Sequence, residues 1–125
     1  MILIIAEKPS LARNIVAGIG KMDRKDGYFI GEGYIVSWAF GHLFSLADVE
    51  HYNPAPDGSA KWTLENLPCF PSEFHFELRK GDDKQPDSGV IRQFKVLEYL
   101  ANREDVDAIV NAGDADREGE IIVRL

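Results

Sequence analysis

The sequence has one cysteine, Cys69. That excludes an internal disulfide and a thiolate-rich zinc site, and it suits a reducing cytosol. Beside Pro68 and Phe70, Cys69 reads as a small apolar filler. Long apolar runs are missing too. The opening run, Ile2-Leu3-Ile4-Ile5-Ala6, meets Glu7 and Lys8 at once, far short of the roughly 20 residues a membrane span needs. No Gly-rich loop ending in Lys-Ser or Lys-Thr occurs, so ATP hydrolysis has no support. Gly31-Glu32-Gly33 begins like a dinucleotide fingerprint, but Val36 stands where its third glycine belongs and a strand follows.

Positive charge is also scarce. Fourteen Lys and Arg face 21 Asp and Glu, for a net charge of −7. On its face this opposes a nucleic-acid partner, whose phosphates need cations. The excess is concentrated, however: from Asn102 onward seven acids face three arginines, so that segment carries −4 of the total.

What is present fits one domain over residues 1–125, long enough to bury a core. Residues 2–6 predict a strand buried on both faces of a parallel sheet. Pro9-Ser10 opens a helix with Leu11, Ile15 and Ile19 on one face, ended by Gly18 and Gly20. Tyr28-Phe29-Ile30 and Tyr34 to Trp38 predict a hairpin turning through Gly31-Glu32-Gly33. Residues 42–71 read as irregular, anchored by Trp62 and Leu64, and residues 73–79 alternate like a half-exposed strand. After a polar loop over 81–89, Val90 to Leu100 is an amphipathic helix whose buried stripe is Ile91, Phe94, Leu97, Val96 and Leu100. Asp107 to Asn111 predicts a second buried strand. Arg117 to Leu125 opens a helix without a C-cap. Leu125 therefore reads as a boundary inside a longer protein, and Met1 as a native start. The order is an α/β layer pattern, in which ligands bind outside the carboxyl ends of parallel strands.

Two charged clusters fall at such ends. Glu7-Lys8 follows the first strand, and Asp114-Ala115-Asp116-Arg117-Glu118-Gly119-Glu120 follows the later one. Four carboxylates in seven residues repel one another unless a hard divalent cation compensates, and magnesium takes oxygen ligands while keeping phosphate and water in its shell. Asp114 and Asp116, two apart, leave one face of an extended backbone. Glu118 sits in the first helical turn, where negative charge is favoured. The alternative, that Asp116 merely caps the helix, leaves Asp114 unexplained. Gly119 costs about 1 kcal/mol against Ala inside a helix, which predicts that backbone or ligand passes close by. Glu7 could donate a proton to a leaving oxygen, since neighbouring carboxylates favour its protonated form, and Lys8 could offset phosphate charge. Alone, that dipeptide equally fits a surface ion pair. His42, next to Gly41, is either structural or a phosphate contact. His51 and His75 show no ligand spacing. The tyrosines have no activating neighbour in sequence, and Trp38, Trp62 and the phenylalanines read as core rather than stacking platforms.

Together, Ile4 to Ala12 (with Ala6-Glu7-Lys8-Pro9-Ser10), Gly41-His42-Leu43 and Asp114 to Glu120 resemble the Toprim domain of type IA DNA topoisomerases. With Trp62 to Pro68, the similarity is closest to the bacterial topoisomerase III group and covers essentially the whole chain. The resemblance implies a Rossmann-like, four-stranded parallel sheet flanked by helices, with a β-hairpin insertion and a last strand beyond Leu125. It implies that a tyrosine of another domain attacks single-stranded DNA, that a second strand passes the gap, and that the break is resealed without ATP. Glu7 would protonate the departing 3′-oxygen and recover the proton on resealing. Glu7, Asp114, Asp116 and Glu118 would form the metal site for Mg2+, with Mn2+ or Ca2+ able to substitute in binding. Lys8, His42 and Arg117 would contact DNA. A cytoplasmic, nucleoid-associated monomer is implied, with a helicase and a single-strand-binding protein as partners and no membrane. Without the tyrosine domain and the strand-passage ring, this segment is expected to bind metal weakly and neither cleave nor relax DNA. A Toprim-type nuclease or primase, and a non-catalytic acidic metal-binding module, are the alternatives. An Asp-nucleophile phosphatase fits poorly, because Asp-x-Asp arrives late and lacks the usual following Thr or Val.

Overall fold

The computed structural model describes residues 1–47, 52, 70–80 and 87–125. Cys69, His51, Trp62, Leu64 and the Trp62–Pro68 stretch lie outside the described residues.

A five-stranded sheet forms the frame, in the order β2-β3-β4-β1-β7. Strand β1 (Ile2–Ala6) is central and pairs in parallel with β4 (Tyr34–Trp38) on one side and with β7 (Ala108–Ala112) on the other. Strands β2 (Asp23–Lys25) and β3 (Tyr28–Gly31) extend the β4 edge as antiparallel hairpins. The expected hairpin is present, with Glu32 and Gly33 at φ 51° and 81°, both in the left-handed region that a two-residue primed turn requires. Its second strand is not an appendage, because β4 belongs to the parallel core. Strand β2 has no apolar signature: Asp23, Arg24 and Lys25 are all exposed, as suits an edge.

Helix α1 (Pro9–Ile19) and helix α2 (Ser88–Ala101) cover opposite faces. Side chains alternate along β1 and β4. Leu3 and Ile35 therefore meet Leu100 and Val96 of α2, whereas Ala6 and Val36 meet Ala12, Leu11 and Ile15 of α1. Helix α2 begins where Asp87 accepts amide hydrogens from Gly89 at 2.9 Å and Val90 at 3.4 Å. Its buried residues are Val90, Gln93 and Leu100, while Ile91, Phe94, Val96 and Leu97 are half-buried.

Gln93 was absent from the predicted stripe, because a polar residue carries no hydrophobic signal. It is buried because the sheet gives its amide acceptors: the carbonyls of Trp38 (2.7 Å) and Gly27 (3.3 Å), and Ser37 Oγ (3.1 Å). Ser37, fully buried, in turn donates to the Gly27 carbonyl at 2.9 Å. A satisfied network like this fixes the helix against one register of the sheet.

Two expectations change. Residues 42–71 are not wholly irregular: β5 (Phe44–Leu46) pairs antiparallel with β6 (Phe76–Leu78) in a small second sheet. Strand β7, expected to be buried, is partly exposed, with Ile109 and Val110 at 54% and 43% exposure, because β1 is its one strand partner among the described residues. The phenylalanines divide. Phe29 packs near Trp38, and Phe44 meets Phe94 edge-on at 5.4 Å, whereas Phe70 and Phe74 are largely exposed. Among the described residues no helix is long and apolar enough to cross a membrane.

The turn from α2 into β7 is clamped by Arg103, whose guanidinium holds both carboxylate oxygens of Asp105 at 2.7–2.8 Å. The Met1 ammonium joins the Asp105 carbonyl and the Asp107 carboxylate there. The Arg103 hydrogen bonds hold the Asp105 carboxyl below its ordinary value.

Replacing Gln93 by Leu should lower unfolding free energy by about 1–3 kcal/mol in urea titrations, since Ser37 Oγ and the Trp38 carbonyl lose the Gln93 donor and the Gly27 carbonyl keeps only Ser37 of the two side-chain donors. An NMR titration of Asp105 should give a midpoint below 3.8. Because the folded state holds the carboxylate more tightly, the pair's stabilisation is present above the unfolded pKa and disappears as pH falls through the folded one.

Candidate active site at the carboxyl rim of the sheet

From β1 the chain crosses first to β4 on one side, and the next parallel strand, β7, lies on the other. Strand order therefore reverses at β1, and in such sheets the crevice beyond that strand's carboxyl end is where ligands bind. The register places the three strand ends level, with Ala6 beside both Trp38 and Ala112. Glu7, the 39–42 segment and the 113–116 turn must then share one rim.

Side chains follow from this alignment. The Ala39 amide donates to the Ala6 carbonyl at 2.9 Å, and the Gly41 amide to the Glu7 carbonyl at 3.1 Å, which brings His42 to the rim. On the other side the Asp114 amide donates to Glu7 Oε2 at 3.2 Å, across 107 positions of sequence. His42 Nε2 lies 2.8 Å from Glu118 Oε2. Glu7 and His42 are half-buried; Lys8, Asp114, Asp116, Arg117 and Glu118 are exposed. Lys8 and Arg117 stand at helix starts, Lys8 as the N-cap of α1 and Arg117 as the first residue of helix α3 (Arg117–Arg124). Neither enters an ion pair among the described residues.

The acidic turn differs from the extended stretch expected. The Asp116 amide bonds back to the Asp114 carbonyl at 2.8 Å, so the backbone turns and the alternation argument for Asp114 and Asp116 does not apply. Asp116 caps α3, its Oδ1 accepting the Gly119 amide at 2.7 Å. Capping is therefore real, though it uses one oxygen of two. The expectation for Gly119 holds: a Cβ there would sit 2.3 Å from the Asp114 carbonyl oxygen, and one on Gly113 would sit 2.4 Å from the Gly119 oxygen. Helix α3 is seated from below by Ile122, packed with Ala39, Leu43 and Val90.

Among the described residues no three His, Cys, Asp or Glu side chains are grouped closely enough to cage a metal. The donor set nevertheless suits a hard cation. Such a cation can be held by as few as one or two carboxylates while phosphate and water complete its shell, and the Asp114 amide brings the backbone of the acidic turn to within hydrogen-bond distance of the Glu7 carboxylate. Sequence reasoning missed Asn111. Its side chain accepts the Gly113 amide at 3.0 Å and donates to Glu120 at 3.1 Å, and an Asn two residues before Gly is the available signal. A cleft of about 290 Å³ beside the Asp26-Gly27 turn contains none of the predicted site residues.

Comparison with known families agrees with this geometry. Residues 2–125 match the Toprim domain, and the chain belongs to the Toprim domain family. Its relatives include proteins named DNA topoisomerase 3. That of Shouchella clausii is 40% identical over 121 residues, covering 97% of this chain and 15% of the relative. That of Staphylococcus epidermidis is 39% identical over 123 residues (98% and 16%), and that of Bacillus anthracis 42% over 123 residues (98% and 15%). The chain thus spans about 15% of the length of these curated relatives.

Gly119→Ala should displace the turn from Glu7 and cost about 1–3 kcal/mol of stability, because backbone rather than a flexible side-chain end blocks the added methyl. Chemical-shift mapping should show the change centred on Asp114 and Glu7, and a variant whose spectrum there is unaltered would contradict the packing.

Proposed function

We propose that this chain supplies the acid–base and divalent-metal half of a type IA, topoisomerase III-like reaction: transient cleavage and resealing of single-stranded DNA through a tyrosine carried elsewhere. The observation that carries this reading is the hydrogen bond from the Asp114 amide to the Glu7 carboxylate at the switch-point rim. It brings the two charged clusters of the sequence to one place.

In this reading Glu7 protonates the 3′-oxygen as the phosphorus–oxygen bond to it breaks, and takes that proton back when the 3′-hydroxyl attacks the phosphotyrosine. The Gly41 amide holds its backbone carbonyl, and half-burial with the Asp114 amide holds its carboxylate. Lys8, exposed at the start of α1, meets the phosphate together with the first free amides of the helix. His42 orients Glu118 or the phosphate, and Arg117 contacts the DNA backbone. Asp114, Asp116 through its second oxygen, and Glu118 would hold Mg2+ with Glu7 near by, and the bound ion would offset phosphate charge and help align the 3′-end. The proposal includes Mn2+ or Ca2+ as substitutes in binding and a cytoplasmic, nucleoid-associated monomer with helicase and single-strand-binding partners. It treats residues 1–125 as a single Toprim unit that alone neither cleaves nor relaxes DNA.

Titrating the chain with MgCl2 should shift NMR signals of Glu7 and residues 114–118, and diffuse changes over the surface would count against a site. In a full-length relative, Glu7→Gln at the matching position should slow both chemical steps by about 10²–10⁴-fold. Asp114→Asn should mainly weaken magnesium-dependent resealing. Wild-type behaviour of both variants, or relaxation of DNA by the 125-residue chain alone, refutes the assignment.

A further inference from the structure

We propose that Asn111 and Glu120 are positioning residues, forming a side-chain brace that sets the acidic turn against Glu7. The inference rests on the reading of Glu7 and Asp114 as one site.

Asn111 lies in β7, one residue before its end, and its amide is used in both senses. Oδ1 accepts the backbone N–H of Gly113 at 3.0 Å, where the turn begins. Nδ2 donates to Glu120 Oε2 at 3.1 Å, in the first turn of α3, where the acidic turn ends. One side chain therefore spans the entry and the exit of the segment that carries Asp114 and Asp116. Neither a carboxylate nor an aliphatic group could do both, since Asp would repel Glu120 and Leu would offer nothing.

Glu120 differs from the other three acids of the motif. Each of its oxygens has a donor, Oε2 from Asn111 and Oε1 from Arg124 at 2.9 Å. Asp114 Oδ1 and Oδ2 have no such donors among the described residues. Asp116 uses one oxygen as a cap, and Glu118 faces His42. The fourth carboxylate is thus the one whose two oxygens are both committed to protein donors, while the other three keep at least one oxygen without such a donor among the described residues.

The brace acts where the turn has no slack. Gly113 and Gly119 lie so close to main chain that a Cβ on either would collide with it, at 2.4 Å from the Gly119 oxygen and 2.3 Å from the Asp114 oxygen respectively. Asn111 bonds to both ends of this turn. Its hydrogen bonds are exposed and individually weak, so their loss should move the turn more than it lowers global stability.

The test uses the 125-residue chain with Mg2+ as the probe, and Asn111→Ala, Glu120→Ala and Glu120→Gln as variants. In metal-free buffer, Asn111→Ala and Glu120→Ala should speed amide exchange at Gly113 and Asp114. Both should weaken Mg2+ binding by about three- to tenfold, and the double variant should lose no more than Asn111→Ala alone. Glu120→Gln should keep both properties near wild type, because its carbonyl oxygen still accepts from Asn111. Gln93→Leu should lower the melting temperature yet leave exchange at Gly113 and Mg2+ binding unchanged.

If Glu120→Gln loses as much affinity as Glu120→Ala, the carboxylate acts by charge and the brace is overturned. Unchanged exchange at Gly113 and Asp114 in Asn111→Ala also overturns it, as does an affinity loss in Gln93→Leu equal to that in Asn111→Ala. If the wild-type chain shows no Mg2+ shifts at Glu7 and Asp114, the proposed function fails instead, while the metal-free exchange data still decide the brace.

Discussion

Everything at the site depends on the in-register parallel alignment of β4, β1 and β7. Parallel pairing with β1 in the middle forces three strand ends onto one rim, whatever their separation in sequence. That constraint explains how an acid at position 7 comes to accept a hydrogen bond from the amide of position 114. It also explains why the site lies beyond β1 rather than elsewhere, since this is where the strand order reverses. The helices serve the same end. Helix α1 buries Ala6 and Val36, helix α2 buries Leu3 and Ile35, and Gln93 ties α2 to the carboxyl half of β4.

Local chemistry then divides labour among residues of similar type. Glu7 is half-buried, its backbone carbonyl accepts the Gly41 amide and its carboxylate accepts the Asp114 amide. The carboxylates of the turn are exposed, which leaves them hydrated and open to further ligands. Asp116 spends one oxygen on the helix and Glu118 is drawn to His42, so the turn is ordered by ordinary protein hydrogen bonds.

How much of this the sequence disclosed depended on which signal each element carries. The apolar run at residues 2–6, the four-residue spacing of Leu11, Ile15 and Ile19, and the glycine-flanked hairpin all follow from periodicity, and all three elements are present. Strand β2 was invisible because Asp23, Arg24 and Lys25 have no apolar face, and β5 because three residues are too few to show a period. Ile109 and Val110 have the composition of a central strand, and their exposure follows from β7 having β1 as its one strand partner among the described residues. At the site, residue types and the closeness of Gly119 to backbone were legible. The bend at Asp114 was not, since alternation assumes an extended chain. Asn111 and Gln93 were missed because hydrogen-bond partners more than fifty positions away, or across a turn, leave no periodic trace.

The contact between Gly113 and Gly119 has a consequence for variation. Every side chain from Asp114 to Glu118 is exposed, but Asp116 caps α3 and Glu118 meets His42, so it is at Asp114, Ala115 and Arg117 that substitution alters charge without removing a side-chain hydrogen bond among the described residues. The two positions that bear no side chain are those where even one methyl group would collide with main chain. Natural drift or laboratory evolution could therefore retune the charge of this loop at those three positions, provided it left its two bare residues alone.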